Sequence, residues 1–110
     1  MDATTPVADL KAAIAAFAAV RRWEPYHSPK NLAMALASET GELCEVFRWM
    51  TEQESRDATA DPALRAAIVD ELADVANIVL LLSVQTGIDL SDAVAAKLVK
   101  NAIKYPEPPG

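Results

Sequence analysis

Cysteine, histidine and glycine are nearly absent from this chain: one, one and three residues in 110. The lone cysteine, Cys44, closes no intrachain disulfide and supports no cysteine-rich metal site. The lone histidine, His27, rules out the Glu-x-x-His pairs on which di-iron helical bundles depend. Scarce glycine with abundant alanine favours helix, and no strand pattern competes with it. Basic residues are outnumbered, for a net charge of −6. Such a chain is a poor non-specific binder of nucleic acid, although it can still meet a polyanion through metal ions. Apolar runs such as Ile78 to Leu82 are far too short to span a bilayer. The opening residues MDATTPVADLK lack the basic and apolar regions of a signal peptide. The expectation is a cytoplasmic protein in a reducing compartment, with neither nucleic acid nor membrane as partner.

Hydrophobic residues make up 52% of the chain, enough for one domain, residues 1–110, with a real core. An alanine-rich helix with an apolar side at Leu10, Ile14 and Phe17 is predicted from residue 6 to about residue 22. Pro25 and Pro29 break that pattern. Ser28 as cap and Pro29 at the first helical position then open a second helix, expected to reach about residue 52. A polar connection follows, roughly residues 53–61. Asp61 and Pro62 repeat the cap-then-proline signal and open a third helix, which ends near Gly87. Asp89 or Ser91 starts a fourth, reaching about Lys104, and the tail 106–110 is expected to fray. The predicted fold is all-α with four helices.

Two of these helices carry an anomaly. Leu32, Leu36, Glu39, Leu43, Val46 and Met50 are spaced as the seam of a packed helix. One member is a carboxylate, and Glu42 lies one turn beyond it. The third helix repeats the pattern 32 residues later, with Leu64, Ile68, Glu71, Val75, Ile78 and Leu82, and Asp74 in the place of Glu42. A lone acidic pair at i, i+3 is usually a solvated face. Two such pairs, in seam positions at matched helix depth, do not fit that description. A short connection favours antiparallel packing, which keeps helix midpoints level and brings all four carboxylates together. Four carboxylates in one semi-buried site must either hold protons or bind cations. All-oxygen ligands without histidine or cysteine favour a hard cation, Mg²⁺ or Mn²⁺. Glu45 reads as a third ligand, a base or a surface residue. Gly41, mid-helix, costs about 1 kcal/mol relative to alanine; close approach of a partner helix or a ligand would explain it, and so would drift.

These motifs resemble a known family. ETGELCE followed by ELAD is similar to the ExxE…ExxD signature of the MazG-like all-α nucleoside triphosphate pyrophosphohydrolases. FAAVRRWEPYHSPKNLAMALASETGELCEVFRW and KLVKNAIKYP resemble its dCTP pyrophosphatase branch, and the likeness covers roughly residues 14–106. The resemblance implies a MazG-like bundle that cuts a nucleoside triphosphate between the α and β phosphates, releasing a monophosphate and pyrophosphate. Carried over by position, Glu39, Glu42, Glu71 and Asp74 are the metal ligands, and Glu42 or Glu45 orients or deprotonates the attacking water. Trp23 and Trp49 offer faces on which a base stacks, and His27 and Asn31 offer hydrogen bonds to base or sugar. Lys97, Asn101, Lys104 and Tyr105 share one face of the last helix, where lysine suits a phosphate. The chain departs from the cytosine-reading relatives in two places: Ile14 stands where a histidine is expected, and Ile78 where a tyrosine is expected.

The expected reaction is Mg²⁺-dependent hydrolysis of dCTP or a modified pyrimidine deoxynucleotide, as pool sanitation. The alternatives are the same reaction with broad NTP or dUTP selectivity, and a non-catalytic helical module that binds metal or nucleotide. The third helix is apolar over most of its circumference from Val75 to Leu82, with only Asn77 interrupting. One chain of this length does not easily bury such a helix. A homo-oligomer, a dimer or dimer of dimers, is therefore expected, and the resemblance puts its sites near the subunit boundary.

Overall fold

The computed structural model describes residues 1–109 and contains five α-helices, with no strand among the described residues. They are α1 (Val7–Val20), α2 (Pro29–Phe47), α3 (Glu52–Asp57), α4 (Pro62–Thr86) and α5 (Leu90–Lys104). Local signals account for most boundaries. Ser28 Oγ accepts from Asn31 N at 3.1 Å to start α2. Asp61 Oδ1 accepts from Ala63 N at 2.8 Å to start α4, and Asp89 Oδ1 from Asp92 N at 2.8 Å to start α5. Gly87 closes α4 with φ 68°, the left-handed conformation that a residue lacking Cβ adopts freely.

The expectation of four helices needs correcting, and so does the reach of the second. α2 stops at Phe47, and the stretch expected to be a polar connection folds as α3 followed by a 3₁₀ turn, Ala58–Ala60. The cause is a capping box. Thr51 Oγ1 accepts from Glu54 N at 3.1 Å, and Glu54 Oε1 accepts from Thr51 N at 3.1 Å. Each satisfies a backbone donor that would otherwise be orphaned at a new helix start.

α4 is the central element, and both α1 and α2 pack against it. The core is small: Ala18, Leu32 and Leu81 are buried together, with Ile14, Ile78 and Leu82 against them. α5 buries no side chain, and Val94, Leu98, Val99 and Ile103 are more than half exposed. The accessible area is 8460 Å², whereas a compact monomer of 11.8 kDa exposes about 5,900 Å². The radius of gyration tells the same story, 16.8 Å against about 13 Å for a compact domain of 110 residues. No described helix is long and apolar enough to cross a membrane.

Candidate active site

α2 and α4 bring four carboxylates to one place. Glu39 and Glu42 from the first, and Glu71 and Asp74 from the second, each offer an oxygen, and these oxygens all lie within 4.8 Å of one another. Glu39 and Glu71 are the half-buried members; Glu42 and Asp74 are exposed. The i, i+3 spacing puts each pair on one helix face, and the seam position turns that face toward the other helix. Glu39 Oε2 and Glu71 Oε2 are buried with no hydrogen-bond partner. Both carboxyls titrate above their ordinary value of 4.5. For Glu39 the leading cause is loss of solvation, followed by hydrogen bonding and charge repulsion from Glu42 and then the charges of Asp74 and Glu71. For Glu71 it is again loss of solvation, then the charge of Glu42 and hydrogen bonding with it. A site that strips water from carboxylates and leaves their oxygens unpaired is short of positive charge. The donor set is all oxygen, and it fits a hard divalent cation.

Glu45 lies outside this group. It is exposed, and its Oε2 faces Arg48 Nη1 at 3.8 Å.

Beside the carboxylates, α1 and α4 enclose a cavity of about 580 Å³ whose wall includes Glu39 and Asp74. The end of α1 shapes it. Arg22 takes a left-handed φ of 56°, Arg22 N donates to Ala19 O and Trp23 N to Ala18 O, both at 3.0 Å. This pair of bonds turns the chain back on itself at a helix terminus. The turn lays Trp23 edge-on to Phe17, with ring centroids 5.7 Å apart. His27 follows, 6.2 Å from Trp23, its Nδ1 buried and unpartnered. Ile14 and Ile78, the two departures noted in the sequence, both line the cavity. So does Asn77, which the sequence marks only as the one polar interruption of an apolar run.

The remaining sequence candidates lie elsewhere in this chain. Asn31 spends its Nδ2 on Tyr26 O at 3.0 Å, which braces the turn that carries His27. Trp49 is 88% exposed and outside the cavity, with the Arg48 guanidinium 5.7 Å from its ring. Lys97 and Asn101 share a shallow depression on α5. Lys104 Nζ lies 5.3 Å from the ring of Tyr105. A Cβ on Gly41 would meet nothing within 4 Å, so nothing among the described residues requires that glycine.

Comparison with known proteins points to one family. The profile of the MazG-like family matches residues 34–110. The dCTP pyrophosphatase 1 of Homo sapiens is 41% identical over 98 residues, 89% of this chain and 58% of that protein. That of Bos taurus is 39% identical over the same length and the same shares. The chain thus spans well under two thirds of the curated relatives that it matches. A crystal structure of a pyrophosphatase from Archaeoglobus fulgidus DSM 4304 superposes with a TM-score of 0.82 at 33% identity, covering 90% of this chain and 91% of that one.

Proposed function

The chain belongs to the MazG-like family, and we propose that it is a nucleoside triphosphate pyrophosphohydrolase acting on dCTP or a modified pyrimidine deoxynucleotide. One observation carries the reading: four carboxylates from two helices converge within 4.8 Å at the wall of an apolar cavity large enough for a nucleoside. Glu39, Glu42, Glu71 and Asp74 would hold Mg²⁺, with Mn²⁺ as a substitute. When bound, the cation supplies neutralising charge for the triphosphate and polarises the reacting phosphate. The protein's residues do the rest. The cavity takes the base, with Trp23 and Phe17 as its aromatic wall, and holds the nucleoside so that the α phosphorus lies beside the carboxylates. Water attacks there, the bond from the α phosphorus to the α–β bridging oxygen breaks, and pyrophosphate leaves. The proton from water passes to a carboxylate. Glu42, inside the cluster and exposed, is better placed to take it than Glu45, which faces Arg48.

The exposed area of the fold supports a site shared between subunits. About 2,500 Å² of area beyond that of a compact monomer supports a dimer or tetramer. In such an assembly α5 would cover a second copy. Trp49, Lys97, Asn101, Lys104 and Tyr105, distant from the cluster within one chain, would then approach a site across the subunit boundary. The single exposed thiol, Cys44, suits a reducing cytoplasm.

Phosphorus NMR of dCTP incubated with the protein and Mg²⁺ tests the reading. Monophosphate and pyrophosphate should appear together, and excess chelator should stop both. Orthophosphate with dCDP as the first products, or full turnover in chelator, would overturn it. Comparable rates on dUTP and ribonucleotides would keep the reaction and replace the dCTP preference with broad selectivity.

A further inference from the structure

The cavity beside the carboxylates has few ways to read a base. Phe17, Ile14 and Ile78 give it apolar walls, which accept any flat ring. Apart from the carboxylates, the side chains of the wall with polar groups able to meet a base edge are His27, Asn77 and Trp23, whose indole N–H only donates. Asn77 lies on α4 three residues past Asp74, about 4.5 Å along the helix axis. A nucleotide whose phosphates sit at Asp74 therefore has Asn77 beside its nucleoside. The side-chain hydrogen bonds made by α4 among the described residues come from Ser83 and Thr86, so the Asn77 amide is uncommitted. An uncommitted carboxamide on an apolar wall offers a donor and an acceptor side by side.

Building on the pyrophosphohydrolase reading above, we propose that Asn77 is a base-binding residue that reads the Watson–Crick edge of the nucleotide. With cytosine, Nδ2 donates to ring N3 and Oδ1 accepts from the exocyclic amine. With uracil or thymine the amide turns over: Oδ1 accepts from N3–H and Nδ2 donates to the C4 oxygen. Two bonds form either way, because the amide is free to rotate by half a turn. Asn77 thus holds a base by its Watson–Crick edge without separating cytosine from uracil; adenine and guanine offer the same two patterns, so the amide alone does not select pyrimidines. Ile14 and Ile78, on the same walls, add no polar group that would separate them.

The test measures kcat/KM for the intact protein and for Asn77→Leu on dCTP, dUTP and 2-deoxyribose 5-triphosphate, which has no base. Asn77→Leu should lose about ten- to a hundredfold on dCTP and dUTP alike, as expected for two neutral hydrogen bonds, and nothing on the sugar triphosphate. A second probe is the dCTP analogue that lacks the exocyclic amine. The unaltered protein should use it about tenfold less well than dCTP, whereas Asn77→Leu should treat the two alike. No loss on dCTP overturns the assignment. An equal loss on the sugar triphosphate does so too, since Asn77 would then serve the carboxylates or the fold. If Asn77→Leu does not fold, equal use of dCTP and its analogue by the unaltered protein is sufficient refutation. A protein that cleaves none of these triphosphates overturns the pyrophosphohydrolase reading itself, which is a different result from selective failure at Asn77.

Discussion

The carboxylate cluster should make the protein's stability depend on cation and pH together. Glu39 and Glu71 have raised pKa values in the folded state. Between the ordinary value of 4.5 and those raised values, the folded chain binds more protons than the unfolded one. Stability without a cation is therefore greatest at the acid end of that window and is lost as pH rises through it. A divalent cation held by the four oxygens opposes this loss, because it keeps the carboxylates ionised without mutual repulsion. At a free Mg²⁺ concentration of 100 times Kd, mass action adds about 2.7 kcal/mol. Unfolding entropy near 2.1 cal/mol/K per residue gives about 230 cal/mol/K for this chain length, so Tm should rise by about 12 °C. The assay is thermal melting by circular dichroism at fixed protein concentration, with chelator or saturating Mg²⁺, at pH 5 and pH 7.5. The shift should be smaller at pH 5, where protons compete for the same oxygens. A shift of equal size at both pH values refutes the argument. So does an undiminished shift in the Glu39→Gln, Glu71→Gln double variant.

Light scattering at micromolar concentration should report a dimer or tetramer; an active monomer would leave the large exposed area on α5 and α4 without a cover. Gly41→Ala should raise stability by about 1 kcal/mol in denaturant titrations, because a methyl group there meets nothing within 4 Å. A loss instead would mean that a second copy approaches that face. Trp23→Ala should lower kcat/KM for dCTP by about 1–3 kcal/mol, the range for base stacking on an aromatic face, and a change under twofold would remove Trp23 from the binding wall.

The helices were legible in the sequence because their signals are local. Ser28–Pro29, Asp61–Pro62, Asp89 and Gly87 each satisfy, or decline to satisfy, backbone groups within four residues of themselves. α3 carries an equally local signal, Thr51 with Glu54, and TEQE reads as a capping box once it is sought. It is obscured by the seam, which runs on to Met50 and invites extension of α2 past its end. Periodicity describes a face, whereas capping describes an end, and here the end decided where the helix stopped.

The site was legible to a different depth. Glu39, Glu42, Glu71 and Asp74 break an apolar seam at the same phase on two helices, and a broken pattern that recurs identifies its own partners. Asn77 also interrupts an apolar run, but once only, and nothing in its spacing says that α1 lies across from it. That fact depends on the turn at Arg22, where a residue with a Cβ adopts a conformation that glycine would adopt at less cost. The left-handed turn folds Trp23 back on Phe17 and so forms the far wall of the cavity. Trp49, Lys97 and Asn101 pose the reverse problem. Their chemistry is visible in the sequence, yet one chain does not carry them to the carboxylates. The half of the site that comes from two facing helices can be read from one sequence by its periodicity, whereas residues on α5 have no periodic relation to α2 and α4. In the proposed oligomer their place would depend on how copies of the chain pack, and the exposed apolar face of α5 is the surface that such packing would cover.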